Sequence, residues 1–95
     1  MLFTMVSNAG VKIKVMPDSP DSNLDEIELQ IKDIIEEKSG KVSKMEKESI
    51  AFGLKAIIVM FTIIETFQQD PLLDELRNID HVSSAEIIDF RRIGF

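Results

Sequence analysis

The chain predicts an α+β sandwich, and three observations predict it. Two segments, 11–16 and 54–64, carry the alternating or continuous apolar pattern of β-strands. Residues 24–38 repeat apolar side chains at helical spacing behind N-cap residues, and a shorter helical pattern follows Asp70-Pro71. A further strand-like segment, 82–90, stands near the end of the chain.

In VKIKVM, Val11–Met16, Val11, Ile13 and Val15 point one way and Lys12 and Lys14 the other, which makes a half-buried strand. Pro17 and Pro20, set among Asp18, Ser19 and Asp21, end it in a turn. Ser22 and Asn23 are candidate N-caps, with Asp25 and Glu26 three residues after each. Leu24, Ile27, Ile31, Ile34 and Ile35 then form the apolar stripe of the first helix, and Ser39-Gly40 closes it. Leu29 lies off the stripe and is expected to be exposed.

KVSKMEKE, Lys41–Glu48, reads as an edge strand, because unpaired edges are protected by lysine. Its partner, Leu54–Ile64, is nearly all apolar and is expected in the centre of the sheet, with its second face partly covered. Asp70 is expected to cap the second helix with Pro71 at its first position. Leu72, Leu76 and Ile79 share a face of that helix, with Leu73 beside them. In the last strand, Val82–Phe90, Ala85 and Ile87 share a side and a bulge near Asp89 re-aims Phe90.

Strand, helix, strand, strand, helix, strand is the ferredoxin-like βαββαβ plan. Right-handed crossovers give a four-stranded antiparallel sheet of order 4-1-3-2 with two helices on one face. Residues 11–95 are the single domain of this reading, and residues 1–10 are an N-terminal extension outside the ordered fold.

Ninety-five residues support one modest core. A hydrophobic share of 44% and a charged share of 29% are those of a folded globular chain. The net charge of −6 argues against binding nucleic-acid phosphates and permits attraction to a basic protein. Without cysteine there is no disulfide or thiolate site. His81, the single histidine, is expected to cap the turn into the last strand rather than to bind a metal. The N-terminus has no basic signal-peptide region, and Ala56–Ile64 falls short of the roughly 20 residues that span a bilayer. The expectation is a cytoplasmic protein without membrane contact or cofactor.

The carboxylates do not converge on an acid/base or metal constellation, and Gly53 stands without the further glycines of a phosphate loop. What is unusual is the turn Ser49-Ile50-Ala51-Phe52-Gly53, which places apolar bulk where polar residues are the rule. It reads either as a hydrophobic plug over the end of the sheet or as an exposed aromatic anchor for a protein partner. Lys55 reads as a solvated lysine on the open sheet face or as part of that anchor. Arg91 and Arg92 read as a frayed basic tail or as cations that reach phosphates, carboxylates or a metal site on a partner.

KIKVMPDSPD, ESIAFGLKAIIV and DFRR, in that order, resemble archaeal-type translation elongation factor 1-beta over Val11 to Arg92, with IAFGLKA the most specific stretch. The resemblance implies a ferredoxin-like guanine-nucleotide exchange factor, not an enzyme, acting on the GTPase elongation factor 1-alpha. It implies that Ile50, Ala51, Phe52, Gly53 and Lys55 bind the partner, and that Arg92 or Arg91 displaces its magnesium and nucleotide. Eukaryotic relatives carry a lysine just before the final residue, whereas here an arginine pair precedes Ile93-Gly94-Phe95. The two groups are expected on the order of 20 Å apart, one strand length. The main alternative is a ferredoxin-like regulatory or small-ligand-binding module, with a pocket, a homodimer and a buried Phe52. An RNA-binding sheet has little support, since there is no Trp or Tyr and the charge is negative.

Overall fold

A computed structural model describes residues 8–93. Four strands, β1 (Asn8–Pro17), β2 (Lys41–Ser49), β3 (Lys55–Ile64) and β4 (Val82–Ile93), and two helices, α1 (Leu24–Glu37) and α2 (Gln69–Arg77), follow the expected order. The sheet runs β2-β3-β1-β4 with every neighbour antiparallel, which is the order 4-1-3-2 read from the other edge. Both helices cover one face. From that side Ile27, Ile31 and Ile35 of α1 and Leu72 and Leu76 of α2 close over Val11, Ile13, Val15, Ile57, Val59 and Phe61. Each of these side chains is at most 3% exposed, so each contributes about 2 kcal/mol of transfer free energy.

β1 begins at Asn8, three residues before the expected start, and pairs Asn8, Ala9 and Gly10 with both neighbours. The rest of the expected N-terminal extension lies outside the described residues. Asn23 caps α1, its side-chain oxygen accepting from the Glu26 N–H at 3.2 Å. Ser39 and Gly40 close the far end of α1, as expected, with different tasks. Ser39, not Gly40, takes the left-handed conformation (φ 66°). Ser39 then donates to the Glu36 carbonyl and Gly40 to the Ile35 carbonyl, at 3.0 and 2.9 Å. This is the paired closing bond of a Schellman end. Glycine is required at 40 for space, since a Cβ there would stand 2.7 Å from Ile35 Cγ2.

α2 also starts earlier than expected. Gln68 is the N-cap, so Pro71 sits deeper in the first turn, where a missing N–H still costs nothing. Exposed ion pairs tie the layers: Lys47 of β2 reaches Asp25 and Glu28 of α1 at 2.9 and 3.4 Å, and Lys38 reaches Glu75 of α2 at 2.7 Å. Leu29 is exposed, as its place off the stripe requires.

Among the described residues no helix covers the other face of the sheet, yet Ala56 and Ile58 are buried there. Their cross-strand neighbours are Glu48, Glu46 and Lys14, long side chains whose stems lie over apolar surface while the heads reach water. Bulges interrupt three places. At one of them Ser43 is the extra residue of β2, and its hydroxyl donates to the Met60 carbonyl at 3.1 Å. In β4 the extra residue is Ile88: Ile87 faces Ile13 while Asp89 faces Lys12. A bulge near Asp89 was expected; its effect extends beyond Phe90 to everything after it.

Candidate functional site

The hairpin between β2 and β3 ends in a tight turn, Ala51–Gly53, closed by the Ile50 N–H on the Leu54 carbonyl at 2.7 Å. Phe52 lies in the left-handed region (φ 64°, ψ 26°) and Gly53 follows at φ 76°. For a phenylalanine that backbone costs about 1–2 kcal/mol, while Gly53 carries no such penalty. The strain is not offset by packing, because Phe52 is 92% exposed. The plug reading of this turn is therefore wrong: the ring projects into solvent. Ile50 is half-buried, Ala51 and Gly53 are exposed, and the turn rests beside Pro20.

Lys55 opens β3 opposite Ser49 and is exposed. By register it shares the face of Ile57, so it belongs to the helix side of the sheet rather than to the open face expected. Ala51, Phe52, Gly53 and Lys55 form one exposed patch at the tip, with Ile50 at its base.

Arg91 and Arg92 sit at the other end, and they are not a tail. β4 continues to Ile93, so both are held in the sheet, Arg91 opposite Gly10 and Arg92 opposite Ala9. As neighbours in a strand they point to opposite faces, and the Ile88 bulge decides which takes which. Arg91 shares the open face with Asp89, whose carboxylate is 3.2 Å from its Nε. Arg92 shares the helix face with Ala9 and Phe90, and its Nε lies 2.5 Å from Glu65 Oε2. Both arginine side chains remain mostly exposed, at 80% and 74%. From the level of Lys55 to that of Ile63, beside Ala9, the register counts eight steps. With the tip added, the aromatic and cationic ends stand roughly 30 Å apart at about 3.3 Å per residue, farther than expected.

Between them lies no enclosed cavity suited to a small molecule among the described residues. A broad, open depression of about 430 Å³ lies on the open face beside Arg91, lined by Gly10, Lys12, Met60, Thr62 and Asp89. No group of three or more metal-ligating side chains occurs among the described residues. His81 sits in the turn before β4 at φ 70°; its carbonyl accepts from the Asp18 N–H at 2.8 Å and its Nδ1 lies 3.6 Å from Asp18 Oδ2. It fastens the turn after β1 to the turn before β4. No helix is long and apolar enough to cross a membrane among the described residues.

Two residues beside the cationic end were not singled out in the sequence. Glu65, just after β3, faces Arg92, and Phe67 stacks on Phe90. Their partners lie far along the chain and across β1, so no local pattern announces either contact.

Comparison with known proteins adds the following. The family described as the EF-1 guanine nucleotide exchange domain matches residues 10–93. The elongation factor 1-beta of Thermococcus gammatolerans is 41% identical over 88 residues, covering 90% of this chain and 96% of the relative. That of Thermococcus onnurineus is 45% identical over 83 residues, covering 85% and 90%. That of Nanoarchaeum equitans is 40% identical over 77 residues, covering 80% and 94%. Among solved structures, the ACT domain from GTP pyrophosphokinase of Chlorobium tepidum superimposes with a TM-score of 0.62 at 18% identity. It covers 85% of this chain and 99% of that one, and speaks for the fold alone.

Proposed function

Because this chain belongs to the family of EF-1 guanine nucleotide exchange domains, we propose that its exchange function is exerted on elongation factor 1-alpha. It would release GDP by binding that GTPase, without making or breaking a covalent bond, and would do so in the cytoplasm. The observation that carries this reading is the separation of two exposed features, Phe52 and the Arg91/Arg92 pair, at opposite ends of the sheet. Features so far apart do not line one small-molecule pocket, but they suit a grip on two regions of a large protein.

The parts divide by chemistry. Phe52, with Ile50, Ala51, Gly53 and Lys55 around it, supplies an aromatic anchor of the kind that dominates interface energetics. Its turn is fixed before binding, so little ordering entropy is lost on docking. The cationic end supplies the contact that discriminates between nucleotide states. A guanidinium brought to the partner's magnesium and β-phosphate competes with an ion that tolerates little distortion of its octahedral shell. The exchanger then binds the nucleotide-free partner more tightly than the GDP-bound one, and GDP affinity falls by the same factor.

The test is release of labelled GDP from elongation factor 1-alpha at fixed Mg²⁺, with the exchanger at catalytic concentration. Release should accelerate by at least an order of magnitude and stay first-order in complex. No acceleration over buffer would refute the reading.

A further inference from the structure

The two arginines differ in what holds them, although sequence treats them as a pair. Arg91 stands on the open face. Its carboxylate neighbour, Asp89, is itself 42% exposed, so that contact is weak and easily exchanged. Arg92 stands on the helix face, and its neighbour is different. Glu65 is 26% exposed, and its Oε2 is shielded from solvent with no aligned hydrogen bond. The cation that neutralises this oxygen is Arg92. If Arg92 left for a partner, the mostly shielded Glu65 carboxylate would lose the cation beside it, and that is costly.

The surroundings of Arg92 strengthen its attachment. β3 and β4 do not pair; β1 runs between them. The arm of Arg92 must cross the β1 row at Ala9, a small and fully buried residue, to reach Glu65 beyond Ile64. Phe90, on the same face, stacks on Phe67 of the same corner at 6.2 Å. Two contacts therefore bind the end of β4 to the corner after β3. Nothing comparable holds Arg91, which overlooks the open depression beside Gly10.

We infer that the roles are divided: Arg92, gripped by Glu65, is a clasp that fixes the end of β4, and Arg91 is the cation delivered to the anionic site of the partner. Glu65 is then a positioning residue for exchange, acting through Arg92 and the strand rather than by touching the partner. This rests on the proposed action on elongation factor 1-alpha and names which atoms perform it.

The experiment measures GDP release from elongation factor 1-alpha over a range of exchanger concentration, with thermal unfolding of each variant alone. Arg91→Met should lower the saturating release rate at least tenfold and leave Tm within 2 °C. Glu65→Gln and Arg92→Met should each lower Tm by several degrees and raise the half-saturating concentration about three- to tenfold. The double variant should be no worse than either single one, and Arg92→Lys should recover most of the loss. A tenfold fall in saturating rate for Arg92→Met with little change for Arg91→Met would overturn the division. Independent, multiplying effects of Glu65→Gln and Arg92→Met would overturn the clasp. If neither arginine matters while the parent protein still accelerates release, the inference falls and the exchange reading stands. If the parent itself is inactive, both fall.

Discussion

Phe67 and Phe90 stack with ring centroids 6.2 Å apart and planes 17° from parallel, although one follows β3 and the other lies in β4. Phe67 also meets Phe61 edge-on at 6.5 Å, so the stack continues into the buried core. Replacing a half-buried ring between two others removes about 2 kcal/mol or more. Phe67→Ala should therefore lower Tm by roughly 8–16 °C in a domain this small, followed by circular dichroism. A change under 2 °C would mean that the stack bears no load.

Phe52→Ala should behave in the opposite way. The ring is 92% exposed and touches no core, so Tm should move by less than about 2 °C. Affinity for elongation factor 1-alpha, measured by calorimetry, should fall about ten- to a hundredfold, the usual loss of an aromatic anchor. Unchanged affinity would remove the tip from the interface.

Gly40→Ala should destabilise the fold by about 1–3 kcal/mol, because the new methyl would overlap Ile35 Cγ2 at 2.7 Å. Denaturant titration gives the value. Below the transition, the exchange rate per folded molecule should equal that of the parent, since residue 40 lies at the far end of the sheet from the tip and on the opposite edge from the arginines.

Phe52→Ala and Arg91→Met should act independently. Their sites are roughly 30 Å apart and share no neighbour, so their effects on binding free energy should add to within about 0.5 kcal/mol. A larger coupling, read from a double-mutant cycle, would show that the two ends sense each other through the sheet.

The charged edge strand sets a pH dependence of defined sign. Lys44 lies 2.6 Å from Glu46; that hydrogen bond, then the charge itself, pulls Glu46 below the ordinary 4.5. A lowered acid contributes stability above 4.5 that is lost as pH falls through its folded value. Lys47 is raised above 10.5, first by its hydrogen bond to Asp25 and then by Glu28, so its contribution is complete below 10.5 and lost only above it. The Tm difference between parent and Glu46→Gln should hold through neutral pH and vanish in acid. High salt should shrink it, because the pair is exposed.

Much of this molecule is written in periodicities that act locally. Ile27, Ile31 and Ile35 at helical spacing, and Val11, Ile13 and Val15 at strand spacing, placed the elements and the topology followed from their order. Boundaries were less readable where the deciding contact is distant. β4 extends through Arg91 and Arg92 because β1 reaches back to Asn8 to pair with them, and the two charges alone look like a loose end. Ser39-Gly40 is legible as the close of α1, but not the division of labour in it: Ser39 accepts the strained backbone and Gly40 is needed for room against Ile35. The aromatic turn was legible as an anomaly, but whether Phe52 faced in or out depended on its backbone angles. Glu65 and Phe67 left no trace in the sequence, since what makes them matter is the β1 row lying between them and β4.

The extra residue at Ile88 has an outcome larger than its size. A strand counts in twos, and an uncounted residue reverses the parity of all that follows. Were Ile88 itself to pair with Lys12, as in a regular ladder, Asp89, Phe90, Arg91 and Arg92 would turn over together: Arg91 would swing to the helix face, and Arg92 would look out over the open sheet. Which arginine takes the open face is thus decided three residues before Arg91, by an isoleucine with no partner in the β1 register.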